Sequence, residues 1–256
     1  MTTKKKQKHS VVVTVPRKRS TTAASQSKNP EALRAEIEIP LSSDTIRIRM
    51  YRVGFGDCFL VSIPDGDSAH KHILVDCGVH GKGNINTIDK VIDNIATVTG
   101  RKLSLVIATH SHQDHISGFD PVKFKGFEVA EVWLPWVEDP KNSIAIALRK
   151  KQTALAAKLY AHFVAEERHN PVKGTALKKR TKAVEALANV IGLSDEKAKL
   201  ASNATALKLL NSGFGDSDRV RYLSAGETLK NPGGINGLKV KILGPPTDQK
   251  FLAKMD

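Results

Sequence analysis

Apolar and polar positions change their spacing several times along this chain, and each change predicts an element. In TIRIRMYRV (Thr45–Val53), Ile46, Ile48 and Met50 alternate with arginines, which predicts a strand with one face in water. GFGD (Gly54–Asp57) breaks the alternation and reads as a turn that Gly54 and Gly56 allow. CFLVSI (Cys58–Ile63) predicts a second, more buried strand. PDGDSAH is a hairpin connection, and HILVDCG (His72–Gly78) a third strand that ends on an acid and a glycine. The period then changes. Ile85, Ile88, Val91, Ile92, Ile95 and Val98 recur at three- and four-residue spacing, predicting an amphipathic helix that stops at Gly100. LSLVIAT (Leu103–Thr109) is apolar enough to run through the centre of a sheet. VAEVWLPW (Val129–Trp136) predicts another strand.

From about Asn142 to Asn211 the texture is rich in Ala, Leu and Lys and poor in β-branched and aromatic residues. It predicts two to four helices, broken near Asn170-Pro171 and Gly192. Strand texture returns in RVRYLSAG and LKVKILGPP. The whole pattern is α/β: one domain over residues 41–256 with a helical insertion at about 142–212. It follows a basic, polar segment, residues 1–40, read as largely disordered.

Composition narrows the setting. With 256 residues, 40% of them hydrophobic, the chain can bury a sizeable core. No apolar run approaches the ~20 residues that span a bilayer, and VVVTV near the N-terminus is too short for a secretory signal. Two cysteines, Cys58 and Cys77, make no disulfide framework, so a cytoplasmic protein is expected. The net charge of +14 is unevenly spread. Residues 1–30 hold eight basic residues and no acid, and residues 142–212 hold 13 Lys/Arg against 5 Asp/Glu. Such segments suit nucleic-acid phosphates, but no recognition motif accompanies them and aromatics are only 5%, which favours wet, solubilising surfaces.

The chemistry concentrates in VIATHSHQDHISGFD (Val106–Asp120), where three of the nine histidines sit with an acid as H-x-H-x-D-H: His110, His112, Asp114 and His115. Neutral imidazoles and a carboxylate are ligands for zinc and similar cations. Residues i and i+2 of an extended segment point the same way, so His110 and His112 can grip one metal. After a turn at Gln113, Asp114 and His115 can face a second metal nearby. Two metals ~3.5–4 Å apart clamp both oxygens of a hydrolytic displacement.

THSHQDHISG resembles the signature motif of the metallo-β-lactamase superfamily. VGFGDCFLVSIP followed by HILVDCG, with VWLPWVEDP and VKILGPP, resembles the branch related to the soluble domain of bacterial competence DNA-uptake proteins. The resemblance covers roughly Ile46–Asp139 and Arg219–Pro246. It implies a four-layer αββα sandwich with metals at one edge. His110 and His112 would hold one metal, Asp114 and His115 the other, and Asp76 would brace the site. The family pattern also carries later ligands, whereas His162 and His169 lie in the insertion and no histidine follows. A partial sandwich, truncated after its first half, is therefore expected.

The expected function is a metal-dependent hydrolase in which a metal-activated hydroxide attacks a phosphodiester or other ester-like bond. Zinc is the expected metal, with manganese and iron as alternatives, and Asp114 is also expected to guide a proton. The alternative is a catalytically weak binding or regulatory protein, because later ligands are missing. Asp57 is a candidate supporting residue and His80 a candidate substrate contact. His70 and His72 are read as strand or loop surface, Cys77 as a small buried residue, and Trp133 and Trp136 as core or cleft wall.

Overall fold

The computed structural model describes residues 10–14, 44–66, 69–80, 87–169, 179, 182–184, 187 and 203–248. Its main sheet has seven strands in the order β1-β2-β3-β4-β6-β8-β9. These are β1 (Ser10–Thr14), β2 (Thr45–Met50), β3 (Cys58–Pro64), β4 (His70–Cys77), β6 (Leu105–Ile107), β8 (Val132–Pro135) and β9 (Val220–Leu223). β2, β3 and β4 form an antiparallel meander, and β4, β6, β8 and β9 run parallel. Strand β1 pairs parallel with β2, so a segment of the basic N-terminal stretch joins the sheet. The rest of residues 1–40 lies outside the described residues.

Parallel neighbours need a crossover, and between β4 and β6 it is α1 (Ile88–Thr99). Its sequence makes a helix with defined ends. The Thr87 side chain accepts from the Lys90 N–H, and Gly100 closes the helix in the left-handed region with its N–H on the Ala96 carbonyl. Ile88, Val91, Ile92 and Ile95 form its buried face. They join Leu60, Leu74, Val106, Phe119 and Leu134 in one core on the helical side of the sheet. Each such side chain contributes roughly 1.5–3 kcal/mol by leaving water. α4 (Asn203–Asn211) closes this core through Ala206 and Leu210.

On the opposite face, Ile73, Leu105, Trp133 and Leu223 pack against Leu229 and Ile235. Leu229 belongs to β10 (Thr228–Lys230), which pairs antiparallel with β11 (Lys239–Lys241). The described residues thus form a mixed α/β fold of helices, main sheet and a small second sheet, consistent with an α+β sandwich.

Several elements differ from the sequence pattern. LSLVIAT is two strands, because Ser104 bends out and donates its N–H to the His72 carbonyl. Before it, β5 (Lys102–Leu103) pairs with β7 (Glu128–Val129); after it, β6 pairs with β4 and β8. VAEVWLPW is divided likewise between β7 and β8. The arginine face of β2 is not the wet one: Arg47 is buried while Ile46 and Ile48 are half-buried. His72 is buried rather than on the surface, with its ring Nδ1 3.0 Å from the Ser62 hydroxyl on the neighbouring strand. In the insertion, one helix of 27 residues, α3 (Ser143–His169), precedes α4. The breaks expected at Asn170-Pro171 and Gly192 lie outside the described residues.

Candidate metal centre

Parallel pairing of β4 with β6 sets Val75 opposite Ile107, so the C-terminal ends of the two strands meet. The end of a parallel strand is where an α/β sheet opens a crevice. There Asp76 is the penultimate residue of β4 and Thr109 follows β6. The Thr109 N–H donates to Asp76 Oδ1 at 2.7 Å, and the Thr109 hydroxyl donates to Asp76 Oδ2 at 2.7 Å. Asp76 is 3% exposed and sits at φ +52°, a left-handed conformation that Asp and Asn tolerate better than most residues.

The same carboxylate orients the histidines. His115 Nδ1 lies 2.9 Å from Asp76 Oδ2, so in the neutral ring the proton sits on Nδ1 and Nε2 keeps its lone pair. The Thr109 hydroxyl spends its proton on Asp76 and is left to accept from His110 Nδ1, 3.1 Å away. His110 therefore also presents Nε2. One buried acid sets the tautomer of two imidazoles, one directly and one through a hydroxyl.

His112 enters from the residue before α2 (Gln113–Ile116), a single helical turn. The His112 carbonyl accepts from the His115 and Ile116 N–H groups, which turns Asp114 back toward the histidines. One donor atom each from His110, His112 and Asp114 falls within 4.8 Å of the others, a group that could hold a metal ion. The His110 ring centroid lies 4.5 Å from that of His112 and 3.8 Å from that of His115. His115 Nε2 is 3.6 Å from Asp114 Oδ2 and its Nδ1 3.6 Å from Asp57 Oδ2. The structure thus gathers three motif residues into one cluster and sets the fourth against its edge.

Electrostatics suit a cation. Burial, with His115 and His112 alongside, pushes His110 down to about 4, so its imidazole is neutral at pH 7. Burial also lowers His112, against the pull of Asp114. For His115 burial favours the neutral ring, but the hydrogen bond to Asp76 and the charges of Asp76, Asp114 and Asp57 outweigh it and raise the pKa. Neutral nitrogen donors beside three carboxylates fit a divalent metal of the zinc type.

Backbone contact holds the floor rigid. The Asp57 N–H donates to the Asp114 carbonyl, and the Gly78 N–H to the Asp57 carbonyl. A Cβ at Gly78 would stand 2.5 Å from the Asp114 and His115 backbone, and one at Gly56 would stand 2.4 Å from the Gly78 carbonyl. Only glycine lets these three stretches touch. His80 stands at the rim, its Nδ1 3.0 Å from Gln113 Oε1 and its ring edge-on to the exposed Phe55 at 6.0 Å.

Thr109 also lines an apolar cleft of about 230 Å³ with Trp133, Pro135, Leu223 and Leu243. A larger cleft of about 650 Å³ lies at the other end of the parallel strands, beside His70, Lys102 and Arg219, and contains none of the motif residues.

Five residues escaped the sequence reading. Thr109 and Gln113 lie inside the motif but are not ligand types, so nothing flagged them. Asn203, at the start of α4, donates from Nδ2 to the Ser111 carbonyl at 2.6 Å from 92 residues away, and no local signal could find it. Arg149 of α3 likewise donates to the Val137 and Asp139 carbonyls. Between those two residues Glu138 is buried and acts on the charge of His112.

Residues 51–142 match the sequence model of the metallo-beta-lactamase superfamily. The match takes in Asp57, Asp76, His80 and the whole H-x-H-x-D-H segment, and stops short of α3 and α4. No curated protein matches the chain.

Proposed function

We propose that this protein is a zinc-dependent hydrolase acting on a phosphodiester or other ester-like bond. What supports the proposal most is the cluster of His110, His112 and Asp114 within 4.8 Å, at the carboxyl end of a parallel strand, inside the segment that matches the superfamily. His110, His112 and Asp114 would hold the metal, with His115 presenting Nε2 beside them. A divalent metal bound there would polarise the scissile group and lower the pKa of its water to about 7. Asp76 keeps the histidine donors aimed, directly and through Thr109. Asp114, beside His115, would take up the proton of the attacking water and pass it to the departing oxygen. His80 and Phe55 at the rim would contact substrate.

An anionic substrate is favoured by the basic segment 142–212, whose α4 begins at the motif loop through Asn203. The GFGD turn and the strand end bearing Asp76 favour the competence-protein-like branch. Two free, buried cysteines suit a reducing, cytoplasmic setting. No helix among the described residues is long and apolar enough to cross a membrane. Elemental analysis of protein purified without added metal, with hydrolysis of bis(p-nitrophenyl) phosphate, an aryl ester and a thioester, tests the proposal. Bound zinc and turnover, both lost in His112→Ala, are expected. Bound metal without turnover on any of the three favours a metal-binding regulatory protein. Absence of bound metal after zinc loading would overturn the proposal.

A further inference from the structure

We infer that Asn203, outside the motif and outside the segment that matches the superfamily, is a positioning residue for the metal ligands. The inference rests on the metal-binding reading above and adds to it a part played by the helical insertion. Asn203 opens α4 and is 9% exposed. Its Nδ2 donates to the Ser111 carbonyl at 2.6 Å, and Ser111 is the residue between His110 and His112. The peptide joining Ser111 to His112 is planar, so fixing the Ser111 oxygen also fixes the His112 nitrogen and Cα, the point from which its side chain leaves the chain. The spacing between the two imidazoles is thereby set from outside the loop that carries them.

Two further observations support the assignment. The amide cannot be turned around, because a carbonyl needs the NH₂ end. Its Oδ1 is then buried without a hydrogen-bond partner among the described residues. A buried acceptor without a donor is unfavourable, and a leucine of similar size would fill the space without it. The use of an asparagine here is therefore its donor. α4 can also hold that donor still: Ala206 and Leu210 are fully buried in the main core, and Phe214 just beyond packs on Phe119 and Phe124.

The test is cobalt(II) titration of the metal-free full chain, read by d–d absorption and chelator competition, together with thermal unfolding of the metal-free protein. Wild type, Asn203→Leu and Asn203→Ala are compared. Asn203→Leu is expected to keep or raise the metal-free Tm, to hold cobalt about 10–100-fold more weakly and to give a changed d–d spectrum. Asn203→Ala should weaken cobalt binding to a similar degree whatever its Tm. Unchanged cobalt affinity and spectrum in a folded Asn203→Leu would overturn the inference while leaving the metal-binding reading intact. Loss of fold in both variants would make Asn203 a packing residue and overturn it too. A wild type that takes no cobalt would overturn both.

Discussion

Asp76 and His115 stand 39 residues apart in the chain and 2.9 Å apart in space. The acid is buried, and it reaches His110 as well through the Thr109 hydroxyl. Removing its charge should disturb two ligands at once. Asp76→Asn tolerates the same left-handed backbone, so it isolates the carboxylate from the fold. Zinc affinity should fall about 10–100-fold by chelator competition. An affinity within twofold of wild type would sink this account of the site.

Metal should stabilise the fold by mass action. At a free zinc concentration of about 100 times Kd, the gain is about 2.7 kcal/mol, or several degrees in Tm. Scanning calorimetry of metal-free protein with and without zinc measures it. His110→Ala should lose most of the gain.

Gly78→Ala should destabilise the protein with or without metal, because the new Cβ meets backbone rather than a yielding side chain. A cost of about 1–3 kcal/mol or more is expected in urea unfolding. A smaller cost would mean that the three backbone stretches can part.

Acid should destabilise the fold partly through His72. Its pKa is depressed to about 4 by burial first, then by the charges of His70 and Arg49. Above about 6.5, the unfolded value, it contributes nothing to pH dependence. Between there and about 4 the unfolded chain binds a proton that the folded one refuses, so stability falls as pH falls. His72→Gln can keep the hydrogen bond to Ser62 and cannot titrate. Its urea midpoint should fall less steeply with acid, by at most about 1.4 kcal/mol per pH unit. His110 and His112, depressed in the same direction, supply slope that remains.

Phe119 is fully buried, with ring centroids of Phe124 and Phe214 at 5.3 and 6.4 Å. Phe119→Ala should cost about 3–5 kcal/mol. Because Phe214 follows α4, the same variant should loosen α4 and raise amide exchange there.

Much of this could be read in the sequence where one signal dominates. The periodicity of Ile88–Val98 and the short apolar runs of CFLVSI and HILVDCG gave α1, β3 and β4 because burial alone decides those residues. The spacing His-x-His-x-Asp-His gave the cluster because its donors lie close along the chain. The breaks at Ser104 and Ala130 were invisible, since apolar composition continues across a change of partner strand. Arg47 was misjudged because alternation does not say which face is covered. β10 has only three residues, too few to show a period. Asn203 was out of reach because its partner is one carbonyl, and a carbonyl has no sequence identity.

The segment from α3 to α4 makes one contact beside Glu138 and one on the motif loop: Arg149 grips the carbonyls flanking Glu138, and Asn203 grips Ser111. It therefore has one foot beside Glu138 and the other on the carbonyl between His110 and His112. A reporter domain spliced into its middle would leave each foot on its own hydrogen bonds. Strain applied there would be felt at Ser111, which makes this stretch the natural place to build a switch or a sensor into the protein.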